Sequence, residues 1–153
     1  MTITVGRASW QQTRELRHAV LRPGLPVGIL DSPMDGVAVE IAAWDGERLV
    51  GTARVFSQPW DGDPFPGSDS GAWQLRGMAV EPAYQGQGIG GRVLAEAVTA
   101  AREGGAFFLW ANARTSALGF YQRHGWAARG EEFIYPESGI PHYKVTFTLA
   151  LTT

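Results

Sequence analysis

The sequence predicts an α/β fold: one mixed sheet of about six to seven strands with three to four helices, forming a single domain over residues 1–153. Three observations carry that expectation. Two apolar, β-prone runs, Val37 to Trp44 and Leu49 to Ser57, flank the dipeptide Asp45-Gly46, which reads as a hairpin turn supplying two positive φ angles. From Trp73 to Ala111 a strand, a glycine-rich turn, an amphipathic helix and a continuous apolar run follow one another. Two further strands, Trp126 to Tyr135 and His142 to Leu151, close the chain.

Taken in order, Thr2 to Val5 alternates as a strand does, and Ser9 with Gln12 forms a capping box for a first helix. That helix turns Trp10, Thr13, Leu16 and Val20 inward and ends before Pro23. Between Arg22 and Gly36 three prolines and three glycines break any period, so a loop is expected. After the hairpin, Gln58 to Gly71 holds three prolines, three glycines and three aspartates and reads as a long loop. Its Trp60 and Phe65 either anchor the loop to the core or close over a pocket. Pro82 must end the next strand because it lacks the ladder donor. A second helix follows, with Ile89, Val93, Leu94, Ala97, Val98 and Ala101 on one face, and stops at Gly104-Gly105. The apolar run Phe107 to Ala111 reads as a buried strand, and a short helix over Ser116 to His124 has Gly125 for its left-handed C′ position.

Composition excludes several classes. Thirteen basic and fifteen acidic residues give a net charge of −2, so no global positive field draws nucleic acid or an anionic membrane. With no cysteine there is no disulfide, thiolate nucleophile or cysteine-based metal site. Neither a signal peptide nor an apolar run approaching the ~18 residues of a membrane span is read, so the expectation is a cytoplasmic protein without a metal.

The chemistry concentrates at Gln85-Gly86-Gln87-Gly88-Ile89-Gly90-Gly91. A strand, four glycines in seven residues and then a helix bring free N–H groups at a helix N-terminus close to an anion. Such glycines also serve tight packing, so the pattern alone leaves both readings open. No Lys-Ser or Lys-Thr follows, which disfavours a nucleoside-triphosphate loop. No acidic residue stands at a strand end about twenty residues on, which disfavours a dinucleotide fold.

Met78-Ala79-Val80-Glu81-Pro82-Ala83-Tyr84, continuing through Gln85, Gly88 and Gly90, resembles the acetyl-coenzyme A signature of the GNAT superfamily of N-acetyltransferases. Asn112-Ala113-Arg114 followed by Ala117-Leu118-Gly119-Phe120-Tyr121 is similar to that family's coenzyme-side helix and its tyrosine. The ending Gly139-Ile140-Pro141-His142, with Leu16-Arg17 and Val20-Leu21-Arg22-Pro23 upstream, is similar to a bacterial subgroup of the family. The resemblance spans nearly the whole chain, most weakly before Val37, and implies the acyl-coenzyme A N-acyltransferase fold with acetyl-coenzyme A as donor.

By this resemblance the coenzyme's pantetheine lies between the strand ending at Val80 and the strand ending near Asn112. Main-chain groups of Met78, Ala79 and Val80 hold the pantetheine and thioester oxygen, and the amides of Gln85 to Gly91 hold the pyrophosphate. Asn112, Ala117 and Phe120 join them on the coenzyme side. An oxyanion donor of this kind contributes ~3 kcal/mol in a transition state. Tyr121 is carried over as the acid for the departing thiolate; a phenol near pKa ~10 facing a thiol near ~8.5 makes full transfer uphill by about 2 kcal/mol, so hydrogen bonding is an equal alternative. Read without the motif, the same tyrosine is a packed ring with a satisfied hydroxyl.

An alkylammonium acceptor is only ~0.1% neutral near pH 7.4, so a base is needed. The family often places it on the fourth strand at positions matching Gln74 and Arg76, and neither accepts a proton. His142 is the substitute, or simply a residue starting a strand; Glu81 and Glu132 are further candidates, or solvated. Arg54 and Arg76, in otherwise apolar strands, either grip an anionic group of the acceptor or pair with internal acids such as Glu40. Asp61, Asp63 and Asp69 read as solvated turn residues. The expected function is acetyl transfer to a primary amine of a small molecule or peptide by direct attack in a ternary complex, and a homodimer is compatible with it. The alternative is an acyl-coenzyme A binding or sensing module that has lost turnover.

Overall fold

Ser9 closes the first strand and opens the first helix through a reciprocal pair. In this computed structural model its hydroxyl accepts the Gln12 N–H at 3.1 Å while the Gln12 side-chain oxygen accepts the Ser9 N–H at 2.8 Å. The structure describes residues 2–21 and 38–149. β1 (Ile3–Ala8) leads into α1 (Trp10–Leu21), where Thr13 is fully buried and returns its hydroxyl to the Ser9 and Trp10 carbonyls. Trp10, Leu16 and Val20 on the same stripe are half-buried. The loop expected at Arg22 to Gly36 and the strand residues Val37, Ala150 and Leu151 lie outside the described residues.

β2 (Ala38–Asp45) and β3 (Arg48–Ser57) form the expected hairpin, with a corrected turn. Asp45 is paired with Arg48, so the two loop residues are Gly46 and Glu47 rather than Asp45 and Gly46. Gly46 has φ +60° and no non-glycine residue described has positive φ. A positive φ at the first loop position alone is the requirement of a II′ turn, which glycine satisfies there. The register shifts between Ala43 and Trp44, so that Val50 is the extra residue of a bulge.

β4 (Ala72–Val80) is followed by a 3₁₀ turn (Pro82–Tyr84), α2 (Ile89–Glu103) and β5 (Phe108–Arg114). A second 3₁₀ turn (Thr115–Ala117) leads into α3 (Leu118–Arg123), then β6 (Ala127–Ile134) and β7 (Pro141–Thr148). The seven strands make a mixed sheet in the order β1-β2-β3-β4-β5-β7-β6. β4 and β5 run parallel from Ala72 opposite Phe108 to Gln74 opposite Trp110, and β7 is antiparallel to both β5 and β6. Among the described residues no helix is long and apolar enough to cross a membrane.

Two compact units divide the chain, and β4 contributes to each. One comprises the chain up to Phe56 with Arg76–Ala100. Its core sets Val93, Leu94 and Ala97 of α2 with Ile41, Ala43, Val50 and Ala53 of the hairpin, all buried. Gly51 permits that close approach, since a Cβ there would stand 3.2 Å from Ala43 and 3.3 Å from Val93. The other unit comprises Ser57–Leu75 with the chain from Ala101 onward. There the loop Gln58 to Gly71 is anchored: Trp60 packs edge-on against Trp110 at 5.6 Å, Phe65 against Phe108 at 5.5 Å, and the Trp110 indole donates to the Gln58 carbonyl at 3.0 Å.

Candidate active site

In the first unit, the turn between the Pro82–Tyr84 segment and α2 is exposed from Gln85 to Gly88 and then dives inward at Ile89. Gly86 and Gly88 have φ of +79° and +81°, and a Cβ on either would meet nothing within 4 Å. Space is therefore open above the turn, and the left-handed backbone is what selects glycine. α2 begins at Ile89, so the first amides of its opening turn, Ile89, Gly90 and Gly91, have no acceptor within the helix. One expected anion donor is corrected: the Gln85 N–H is given to the Pro82 carbonyl at 3.3 Å, which closes the 3₁₀ turn. Its side-chain amide donates to the Val80 carbonyl at 3.0 Å, and Gln87 reaches the Ala83 carbonyl at 3.4 Å. Both glutamines therefore tie the turn to the segment before it.

Upstream, Met78 and Val80 are half-buried and Ala79 is buried. Gly77 has φ +64° inside β4, and its carbonyl accepts the Thr52 hydroxyl at 3.0 Å. A left-handed glycine inside a strand bends it. The isolated glycine in the run Trp73 to Val80 was the signal for this bend, and sequence reasoning passed over it.

In the same unit Arg54 and Glu40 stand directly opposite each other on β3 and β2, and both are buried. The Arg54 Nε lies 2.9 Å from each Glu40 carboxylate oxygen, so internal pairing is the role the geometry holds for Arg54. Arg76 is half-buried. Glu81 is engaged by the Arg48 guanidinium through both carboxylate oxygens, which occupies it as a base.

The second unit carries Tyr121. α3 ends in a Schellman arrangement: the Gly125 N–H donates to the Gln122 carbonyl and the Trp126 N–H to the Tyr121 carbonyl, at 3.1 and 3.0 Å, with Gly125 at φ +88°. This closure packs the buried Tyr121 ring against Trp126 at 5.3 Å, while Phe120 packs on its other neighbour, His124. Burial pushes the Tyr121 hydroxyl well above the usual phenol range. It is therefore a neutral donor at ordinary pH and a poor source of a fully transferred proton. Ala117 and Phe120 are half-buried beside it in sequence.

Strand register in this unit sets Asn112 opposite Lys144 and Arg114 opposite His142. The His142 ring is buried, packs at a 39° tilt with its centroid 4.9 Å from that of Tyr135, and places Nδ1 2.7 Å from the Ile140 carbonyl. A carbonyl can only accept, so Nδ1 carries the proton and Nε2 is the ring's basic nitrogen. Lys144, which sequence reasoning missed, donates to Asn112 Oδ1 at 3.0 Å and to Asp61 at 2.6 Å. Rings of Trp110, Phe133 and Trp60 stand 5.2, 5.3 and 5.8 Å from its ammonium. Asp61 is thus paired rather than merely solvated, and Asn112 is oriented with its NH₂ away from Lys144. Gln74 is buried in β4, and Glu132 is exposed and accepts the Thr115 hydroxyl at 2.7 Å. Among the described residues no group of three metal-ligating side chains gathers.

Residues 9–126 match the model of the acetyltransferase (GNAT) family. The chain is 28% identical over 139 residues to the uncharacterized N-acetyltransferase YitI of Bacillus subtilis (strain 168), covering 90% of this chain and 91% of that protein. Its fold is similar to the crystal structure of Escherichia coli ElaA, with a TM-score of 0.73 at 18% identity, covering 95% and 99% of the two chains. It is equally similar, at TM-score 0.73 and 14% identity over 98% and 99%, to an aminoglycoside 6′-N-acetyltransferase whose crystal structure holds coenzyme A.

Proposed function

Since this chain belongs to the acetyltransferase (GNAT) family and is an acyltransferase, we propose that it transfers an acetyl group from acetyl-coenzyme A to a primary amine of a small molecule or peptide. The observation that carries the donor assignment is the exposed turn Gly86 to Gly88, with two left-handed glycines and open space above them, running into α2 at Ile89. A diphosphate fits such a turn because glycine lets it approach the main chain and the first helical amides offer donors. When bound, acetyl-coenzyme A supplies a thioester carbonyl open to nucleophilic attack.

The chain's own residues have distinct tasks. Main-chain groups of Met78, Ala79 and Val80 hold the pantetheine arm, the amides of Gly86 to Gly91 hold the diphosphate, and Asn112, Ala117 and Phe120 complete the coenzyme side. Tyr121 donates a hydrogen bond to the sulfur as negative charge develops there. Its raised pKa favours this over discrete protonation. His142 takes a proton from the acceptor ammonium at Nε2, its tautomer fixed by Ile140. Arg76 grips an anionic group of the acceptor. The chain contains no cysteine to carry an acyl group, which supports direct attack of the amine in a ternary complex.

The test is release of free thiol from acetyl-coenzyme A across a panel of primary amines, with mass spectrometry of the acetylated product. Thiol release coupled to one amine class is expected. Coenzyme A binding with no amine-dependent release from any class would overturn the transfer reading in favour of a binding module.

A further inference from the structure

We propose that the tip of the β2–β3 hairpin braces the glycine-rich turn for its diphosphate, with Asp45 and Tyr84 as positioning residues; this rests on the donor reading above. The turn is suspended between two points, and the same hairpin holds both. On its entry side, the Tyr84 hydroxyl donates to Asp45 Oδ2 at 2.7 Å, and Asp45 is the last residue of β2. The Glu81 N–H donates to the carbonyl of Val50, the bulged residue of β3, at 2.8 Å. Arg48 grips the Glu81 carboxylate and lies over the Tyr84 ring, 5.6 Å from its centroid. On its exit side, Ile89 is buried, with Cγ2 3.5 Å from where a Cβ on Gly51 would stand.

A turn with two left-handed glycines has more backbone freedom to lose than the same turn built of other residues, and binding an anion through its amides requires that loss. Fixing both ends in advance lowers the ordering cost at the moment of binding. The contacts are not equal. Arg48 is largely exposed, its side chain 60% accessible, so its ion pair contributes little alone. The Tyr84 to Asp45 hydrogen bond is partly buried and is the principal tie. Asp45 raises the Tyr84 pKa by accepting that bond, so the donor persists through the neutral range. Only an acceptor oxygen is needed at position 45, which makes asparagine a functional replacement.

Calorimetry of coenzyme A and ligand-observed NMR of pantetheine, which shares the thiol arm but lacks the diphosphate, test the brace on the full chain. In Tyr84→Phe and Asp45→Ala the coenzyme A Kd should rise roughly fivefold, the loss of one hydrogen bond. The pantetheine Kd should hold, Asp45→Asn should restore wild-type affinity, and the double variant Tyr84→Phe/Asp45→Ala should be no weaker than either single one. Unchanged coenzyme A affinity in both single variants would overturn the proposal, as would an equal loss for pantetheine or no rescue by asparagine. Failure of the wild-type protein to bind coenzyme A would instead overturn the donor reading itself.

Discussion

Arg54 and Glu40 face each other across the β2–β3 ladder, with the arginine Nε 2.9 Å from both carboxylate oxygens and both side chains buried. Removing either side chain breaks this buried pair, at a cost of about 3 to 5 kcal/mol. Arg54→Met and Glu40→Leu should each lower the denaturation midpoint strongly, while the double variant should recover much of the loss. Chemical denaturation with additive losses in the double variant would contradict this.

Gly88 sits at φ +81° with open space beyond it, so two effects separate by side chain. Gly88→Ala should destabilise by about 1 to 2 kcal/mol through backbone strain. Gly88→Glu should add a carboxylate above the helix amides and weaken coenzyme A binding by a further ~10-fold or more. Calorimetry giving equal affinities for the two variants would remove the anion from this turn.

Tyr121→Phe keeps the packing against Trp126 and deletes the hydroxyl. kcat should fall by ~10²-fold with coenzyme A affinity nearly unchanged. The raised pKa also fixes a stability sign. Above pH ~10 the unfolded phenol ionises while the buried one holds its proton, so stability falls as pH rises there. Tyr121→Phe should flatten part of that fall in alkaline denaturation curves.

His142→Ala should lower kcat and remove the acidic limb of the rate profile. Arg76→Ala should instead raise the acceptor KM and leave the acetyl-coenzyme A KM alone. An unaltered acidic limb in His142→Ala would return that ring to a packing role on Tyr135. A purely cationic preferred acceptor with wild-type kinetics in Arg76→Ala would remove the anionic recognition.

Sequence spacing specifies local structure where the residues that signal it are also the ones that hydrogen-bond. The Ser9–Gln12 capping box and the Gly125 helix stop each depend on hydrogen bonds within about one helical turn, so sequence spacing alone specifies them. The hairpin was legible for the same reason, but its turn frame was not. Asp45-Gly46 fits two alignments, and the pairing of Asp45 with Arg48 selects the one with Gly46 first.

The sequence by itself determined the order of strands and helices, the glycine-rich turn before the second helix and the tyrosine on the short helix. Only the tertiary structure decided which polar groups meet. β7 enters the sheet between β5 and β6, and that order is what brings Lys144 opposite Asn112 and His142 opposite Arg114. Asp61 reaches Lys144 across 83 residues of sequence, and Glu81 reaches Arg48 across 33. No periodicity records such meetings, because a strand's alternation fixes the face of a side chain while the register with its neighbour fixes the partner.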